Sequence, residues 1–502
     1  MDIQNFEEEV GNGYKFAGEF ITIGGSMFNG KVIANTPVAL PLKTLNRHGL
    51  IAGATGTGKT KTIQVLSEQL SSNGIPVLMM DIKGDFSGIA KPGTVNDFIT
   101  NRHQQMGLAY ETSGFPVELL TISEQSGVRL RATVSEFGPV LLARILELNE
   151  TQGSVLAVVF KYCDDHQLPL LDLKDLKKVL NYITNEGKAD IEKEYGLIST
   201  STTGAILRKL VALEQQDADL FFGETSFDIK DLMRLDENGK GYVNILRLTD
   251  IQDKPKLFST FMLCLLAEVY NTMPERGDSG RPELVIFIDE AHLIFKEATK
   301  ALLEQIETII KLIRSKGIGI YFITQNPIDI PNGVLAQLGL KIQHALRAFT
   351  EKDRKAIKAA SENFPTTSFY KTDEIITQLG TGEALVTALN EKGIPTPLVV
   401  AMLRAPMSRM DVLSDTEIQE IVQNSELTVK YNKVMDRESA YEILSRKIQE
   451  VAVTAPETKS ETKSGRPVTK QADYVKPIVK VLTSATFIRG AFGVLNKLFG
   501  KK

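Results

Sequence analysis

A glycine-rich run between an apolar strand and a helix constrains the fold of this 502-residue chain more than any other feature. Residues 53–60 read Gly-Ala-Thr-Gly-Thr-Gly-Lys-Thr and match the pattern G-x-x-x-x-G-K-[ST]. An apolar run at 49–52 precedes it, a helical pattern follows to about Ser72, and a second apolar run begins at Pro76. A strand, a helix and a second strand in this order form a βαβ unit, which requires a parallel sheet. The pattern therefore predicts an α/β fold.

The composition of this loop suits the phosphate groups of a nucleotide. Glycines let backbone N–H groups turn inward around phosphates, and the helix N-terminus adds positive potential. We expect Lys59 to reach the terminal phosphates and Thr60 to offer its hydroxyl to Mg²⁺. For Asp81, which ends the next strand, a place beside the magnesium and a turn-forming role are both open. The expected nucleotide-binding residues are Gly53, Thr55, Gly56, Thr57, Gly58, Lys59, Thr60 and Asp81.

Two adjacent acids follow an uninterrupted apolar run at 284–288. Such a run predicts a buried strand, and its carboxyl end lies at the edge of a parallel sheet where ligands bind. We expect Asp289 to hold Mg²⁺ and Glu290 to polarise the water that attacks the γ-phosphate. Without the glycine-rich loop, an ordinary strand before an acidic helix start would explain the same residues. A third apolar strand ends at Gln325, whose amide is suited to sensing the γ-phosphate or its attacking water.

Four segments together resemble the HerA/FtsK superfamily of ring ATPases, and within it the YjgR-like, HerA-related proteins. They are the glycine-rich loop, the Asp-Glu-Ala-His run at 289–292, the strand-end Thr-Gln at 324–325 and the Asp-x-x-Gly-Asp-Phe segment at 81–86. The resemblance covers about residues 15–405. It implies a RecA-like core with a mostly parallel sheet, hydrolysis of ATP with Mg²⁺, and assembly into hexameric rings. Many members of the superfamily translocate double-stranded DNA.

The resemblance also implies an arginine finger supplied by a neighbouring subunit. In the family it lies in a basic helix end just before the strand that carries the sensor glutamine, and here that place holds Arg314, with Lys316 beside it. We expect Arg314 to act in trans, with Arg347 as the outside candidate. The alternative is that Arg314 is a solvated cation that complements the dipole at a helix end.

Charge and length leave the purpose of hydrolysis open. The sequence has 58 Lys+Arg and 62 Asp+Glu, a net charge of −4, so no global cationic field attracts it to nucleic acid. No dense Lys/Arg cluster resembles the basic pore loops that DNA translocases need, and the segment 1–45 is too short for the N-terminal barrel of HerA-type translocases. One expected function is a DNA translocase or helicase-like motor. The other is a nucleotide-controlled assembly or protein-remodelling ATPase that does not act on nucleic acid.

The pattern of apolar and polar runs predicts an α/β core interrupted by helices. Residues 133–235 have the 3.6-residue periodicity of helices and few strand-like runs, which indicates a helical insertion. The expected divisions are a β element at 1–45, core at 46–132, helical insertion at 133–235, core at 236–405, helical segment at 406–453, flexible linker at 454–475 and basic amphipathic helix at 476–502.

The last segment, 476–502, carries six Lys or Arg residues and no acid, with apolar residues in a heptad stripe. It could dock on its own core or on a neighbouring subunit of a homo-oligomer, lie on an anionic membrane surface, or bind nucleic acid. These partners stay open.

The composition also indicates where the protein is located in the cell and whether it has a zinc site. No apolar run approaches the roughly 20 residues that cross a bilayer, and the acidic start lacks the features of a secretory signal. We therefore expect a cytoplasmic protein. The two cysteines and five histidines do not have the spacing of a zinc site.

Overall fold

The structure is a computed structural model that describes residues 3–454 except 278, 297–299, 349, 434 and 436. Its strands are β1 (Phe20–Phe28), β2 (Lys31–Pro41), β3 (Gly49–Ala52), β4 (Val77–Asp81), β5 (Val117–Thr121), β6 (Val128–Arg129), β7 (Val243–Arg247), β8 (Leu284–Ile288), β9 (Ile318–Thr324), β10 (Leu340–Gln343), β11 (Glu383–Thr387) and β12 (Val399–Leu403). Its helices are α1 (Ile3–Gly13), α2 (Lys59–Ser72), α3 (Asp97–Met106), α4 (Val134–Ile145), α5 (Glu150–Asp165), α6 (Leu173–Tyr182), α7 (Lys188–Tyr195), α8 (Thr200–Glu214), α9 (Pro255–Thr272), α10 (His292–Lys296), α11 (Lys300–Ile313), α12 (Asn332–Leu335), α13 (Glu351–Ser361), α14 (Thr372–Gln378), α15 (Asp415–Asn424), α16 (Glu426–Tyr431) and α17 (Ala440–Thr454). The predicted linker at 454–475 and basic helix at 476–502 lie, apart from residue 454, outside these residues.

All twelve strands of the described residues belong to one sheet, in the order β2-β1-β12-β11-β10-β3-β9-β8-β4-β7-β5-β6. Every neighbouring pair from β10 to β6 is parallel, and every pair from β2 to β10 is antiparallel. The predicted α/β class with a mostly parallel sheet is therefore confirmed.

The central strands are buried because they are apolar on both faces. Every residue of β8 and β9 is buried, as is typical of parallel strands covered by helices on both sides. β3, β9 and β8 are neighbours and parallel, so their carboxyl ends lie at one edge of the sheet. This edge carries the glycine-rich loop and the strand-end acids.

The N-terminal segment joins the antiparallel end of the same sheet. β1 and β2 form a hairpin, and β1 also pairs with β12. The helix α1, which the sequence analysis did not predict, is held there by Phe6, which is fully buried. The Phe6 ring stacks on Phe28 at a centroid distance of 4.9 Å and meets the edge of Phe369 at 5.2 Å.

The chain divides into two compact units. One contains every described strand, and the other comprises residues 130–227, 259–264 and the described part of the chain from 433 onward. Within this second unit, α17 is fixed to α6 through Asp175, because Oδ1 of Asp175 accepts hydrogen bonds from the Ser439 hydroxyl and the Tyr441 N–H. The extents of the predicted helical insertion and of the other segments stay predictions.

In the described part of the chain, no helix is both long enough and apolar enough to cross a membrane.

Candidate active site

The glycine-rich loop connects β3 to α2 and is closed around its own lysine. The Lys59 ammonium donates to the carbonyl oxygens of Gly53 at 2.6 Å and Ala54 at 3.0 Å. Gly58 precedes the helix with φ +110°, a conformation that favours glycine. The loop thus has the backbone that a phosphate-binding turn needs, and its lysine lies inside the loop.

Two residues that the sequence analysis missed support this loop from the end of β10 and the start of β11. The ring of His344 lies with Nε2 2.9 Å from the Thr62 hydroxyl, and burial lowers the pKa of His344 to about 4, so the ring is neutral near pH 7. The Gly382 N–H donates to the carbonyl oxygen of Thr57 at 3.0 Å. Both come from segments nearly 300 residues or more after the loop. No local pattern could have identified them.

A close packing contact explains the first glycine of the loop. A Cβ atom on Gly53 would lie 2.5 Å from Cβ of His344. A larger residue at position 53 would therefore displace either the loop or the histidine.

The acidic pair lies at the carboxyl end of β8. Asp289 and Glu290 are 3% and 7% exposed. Glu290 has φ +45°, in the left-handed region that residues with a Cβ atom rarely adopt. Such backbone strain is often found at functional sites. Burial raises the pKa of this carboxylate, and the nearby side chain of Gln325 is one of the groups that lower it, so the structure places the predicted base close to the predicted sensor.

A lysine that the sequence analysis did not single out neutralises this pair. Lys83 forms an ion pair with Oε1 of Glu290, and its Nζ lies 3.8 Å from Oδ2 of Asp289. His292 Nδ1 lies 3.1 Å from the other oxygen of Glu290. The pair is therefore buried beside one ammonium group and one imidazole ring.

The two carboxyl groups differ in acidity. Burial raises the pKa of Asp289 to about 7, and Glu290 adds to the rise, although Lys83 opposes it. Burial would also raise the pKa of Glu290, but the hydrogen bond and charge of Lys83 outweigh burial and lower it. Glu290 is therefore an ionised acceptor near pH 7, as a group that polarises water must be.

The turn after β4 brings two more acids to the loop. Asp81 accepts hydrogen bonds from the N–H groups of Gly84, Asp85 and Phe86, which is the geometry of the turn-forming role. Asp85, also missed by the sequence analysis, accepts from the Thr60 hydroxyl at 3.1 Å. Its other oxygen, Oδ1, is buried without a hydrogen-bond partner.

These oxygens fit a magnesium ion better than they fit a softer metal. Mg²⁺ is usually held by one or two carboxylates together with waters and substrate phosphates, so it needs no complete protein cage. Thr60, Asp289 and Asp85 offer hydroxyl and carboxylate oxygens, and Oδ1 of Asp85 is an unsatisfied buried acceptor. Among the described residues, no group of three His, Cys, Asp or Glu side chains could hold a metal by itself.

Arg314 lies far from the loop of its own chain. It is exposed in a short 3₁₀ turn before β9, whereas Gln325 follows the end of β9. The seven residues of β9 span about 20 Å, so the two side chains lie at opposite edges of the sheet. The structure does not bring Arg314 together with the other predicted catalytic residues.

The two other basic residues considered for the arginine finger, Lys316 and Arg347, already interact with neighbouring groups of this chain. Lys316 pairs with Glu275 at 3.1 Å and lies over the ring of Tyr270. Arg347 donates to the carbonyl oxygen of Thr377 at 3.3 Å.

The parallel sheet, the phosphate loop at the end of β3 and the acids at the end of β8 define a P-loop ATPase, for which ATP and Mg²⁺ are the cofactors. The family model described as "Helicase HerA-like C-terminal" matches residues 28–487. The chain therefore belongs to the HerA-like family.

Individual relatives are distant. The DNA double-strand break repair helicase HerA of Sulfolobus acidocaldarius is 22% identical over 396 residues, which cover 77% of this chain and 71% of the relative. A probable helicase of Methanocaldococcus jannaschii is 27% identical over 405 residues, which cover 74% and 68%. The solved structure of the plasmid coupling protein TrwB in complex with ADP and Mg²⁺ is similar with a TM-score of 0.48 and 15% identity, over 80% of this chain and 100% of that chain.

Replacing Asp289 by Asn should stabilise the nucleotide-free chain at neutral and higher pH. The carboxyl has a pKa of about 7 in the folded chain against an ordinary value of 3.8. Between these values the folded chain holds a proton that the unfolded chain has lost, so stability falls as pH rises. We expect Asp289→Asn to raise the free energy of unfolding above pH 7 by up to about 4 kcal/mol, and the gain to vanish near pH 4. Urea unfolding without Mg²⁺ at several pH values measures it.

Asp253→Asn serves as the matched control, because Asp253 is exposed. Its effect on the free energy of unfolding should be small, because an exposed side chain makes few contacts that the substitution removes. A gain from Asp289→Asn that is as large at pH 4 as at pH 8 would contradict the assignment of a costly buried charge.

Proposed function

We propose that this chain is a Mg²⁺-dependent, ring-forming ATPase that uses ATP hydrolysis to move along double-stranded DNA in the cytoplasm. The catalytic part of the proposal rests on Glu290, an ionised, buried carboxylate in a strained conformation that lies beside the phosphate loop and close to Gln325. An acid in this position can orient and polarise water for attack on a phosphorus atom.

Each residue of the site has a role in the proposal. The N–H groups of the loop and the ammonium of Lys59 bind phosphate oxygens, and Thr60 and Asp289 hold the metal. Glu290 accepts a proton from the attacking water, while Gln325 fixes the position of that water. The bound Mg²⁺ would neutralise phosphate charge. Asp81 holds the turn that carries Asp85. We propose that it also lies beside the bound metal.

The arginine finger is proposed to act between subunits. Arg314 is exposed and makes no ion pair with any residue that the structure describes, and it lies at the opposite edge of the sheet from its own Gln325. A cation in this position is available to the site of a neighbouring copy. Membership of a family of ring ATPases supports a homo-oligomer, which we propose to be a hexamer.

The nucleic-acid part of the proposal rests on the family and its relatives. The relative in Sulfolobus acidocaldarius is named as a DNA double-strand break repair helicase, and we propose a DNA motor here by similarity. The net charge of −4 favours the second candidate, an assembly or remodelling ATPase that ignores DNA, because DNA binding depends strongly on Lys and Arg contacts with phosphates.

Mixing two inactive variants tests the finger. Arg314→Ala should lower ATP turnover by about 10³-fold or more, the usual contribution of an arginine finger, and Glu290→Gln should also be inactive. In mixed rings, an intact Glu290 site of the first variant can receive Arg314 from the second. We therefore expect the mixture to hydrolyse ATP, measured as phosphate release, although neither variant does so alone.

Arg347→Ala is the matched control, and this variant should keep the parent's activity. If Arg314→Ala is as active as the parent, Arg314 is not the finger. If it is inactive and Glu290→Gln does not restore turnover, Arg314 does not act in trans.

DNA and salt separate the two candidate functions. A motor that contacts several DNA phosphates should hydrolyse ATP faster when double-stranded DNA is added at about 50 mM salt. Its affinity for DNA should then fall steeply toward about 200 mM, by about 10³-fold or more for six or more phosphate contacts. Steady-state turnover with and without DNA, at several protein concentrations, is the measurement. A rate per subunit that rises with protein concentration but ignores DNA would favour the assembly ATPase.

A further inference from the structure

The loop that follows β4 presents its lysine to the catalytic acids. Lys83 contacts Glu290 and lies 3.8 Å from Asp289. The side chains of these acids are 9% and 5% exposed, whereas that of Lys83 is 35% exposed. Within the described residues, no other Lys or Arg lies within ion-pair distance of either acid. Lys83 is therefore their cationic partner, and it retains access to solvent.

The backbone of this loop is held in one conformation by Asp81. Both carboxylate oxygens of Asp81 accept N–H groups from residues 84–86. Gly84 has φ +78°, and a Cβ atom there would lie 2.9 Å from Cγ2 of Thr249. A rigid turn thus places Lys83 on the acidic pair and Asp85 on the Thr60 hydroxyl. This one turn therefore contacts both the acidic pair and the Thr60 hydroxyl.

Two adjacent buried carboxylates require a cation, because an uncompensated buried charge is strongly destabilising. An ammonium group can satisfy this requirement, and so can a divalent ion, but both would lie beside the same carboxylate of Asp289. The long, partly exposed side chain of Lys83 can leave the pair without moving the turn that carries it.

We propose that Lys83 is a positioning residue that closes the acidic pair in the nucleotide-free chain and that a divalent cation must displace. This inference rests on the proposed function in taking Asp289 as a metal ligand and Glu290 as the catalytic base. While Lys83 is paired with Glu290, the Oε1 atom of Glu290 cannot accept a proton from the attacking water. The catalytic base is therefore inactive until a metal ion displaces the lysine. The lysine thus couples metal entry to release of the catalytic base.

Manganese binding in the absence of nucleotide tests the proposal. Removing the competing ammonium by Lys83→Met should tighten the binding of Mn²⁺ by about tenfold, within the range typical of coupled binding equilibria. Free Mn²⁺ is counted by its electron paramagnetic resonance signal. Lys83→Arg keeps the cation and should bind Mn²⁺ with nearly the parent's affinity. Lys392→Met removes the same charge from an exposed loop and should change nothing.

A second measurement uses the parent chain, so it does not depend on the folding of a variant. Saturating Mn²⁺ should free the Lys83 ammonium, and its rate of acylation by an amine-reactive ester, followed by mass spectrometry, should rise severalfold while that of Lys392 stays constant. Equal Mn²⁺ affinity in Lys83→Met and parent, or Lys83 acylation unchanged by Mn²⁺, would overturn the proposal. Neither measurement involves ATP turnover, so a failure of the proposed function would be seen separately.

Discussion

The burial of two adjacent carboxylates, Asp289 and Glu290, is the constraint on which the rest of the site depends. Ionised carboxylates removed from water need a cation close by, and the structure supplies one from Lys83. The same oxygens are assigned to metal and water in the proposed reaction. In this account, the ammonium of Lys83 and the divalent metal ion take turns beside the carboxylates of Asp289 and Glu290. The metal ion in turn neutralises the phosphates of the nucleotide.

The parallel sheet makes this arrangement possible. Residues that are more than 200 positions apart in sequence meet because β3, β8 and β9 are parallel neighbours whose carboxyl ends share one edge. Every residue of β8 and β9 is buried, as is typical of parallel strands covered on both faces. The strained backbone of Glu290 lies two residues after the end of such a strand. The stability of the sheet compensates for the unfavourable backbone conformation of Glu290. This conformation fixes the orientation of the Glu290 carboxylate.

Contiguous motifs were the part of the site that could be predicted from the sequence. The loop at 53–60 and the strand-end acids each carry their chemistry in a few adjacent residues, and the apolar runs beside them indicated parallel strands. Partners that meet only in the fold could not be predicted. His344 and Gly382 support the loop from distant strands, Lys83 reaches the acids across the sheet edge, and α1 packs through the single ring of Phe6. The trans role of Arg314 depends on a second copy, so it stays a prediction.

The central claim is that the phosphate loop and Glu290 form one hydrolytic site, in which binding and chemistry belong to different residues. The most direct measurement compares Lys59→Ala with Glu290→Gln, using calorimetry for binding of ATP with Mg²⁺ and phosphate release for turnover. The account predicts that Lys59→Ala loses binding, whereas Glu290→Gln binds ATP as the parent does but turns it over about 10²-fold more slowly or worse. Turnover at the parent's rate by Glu290→Gln would contradict the assignment of Glu290 as the catalytic base.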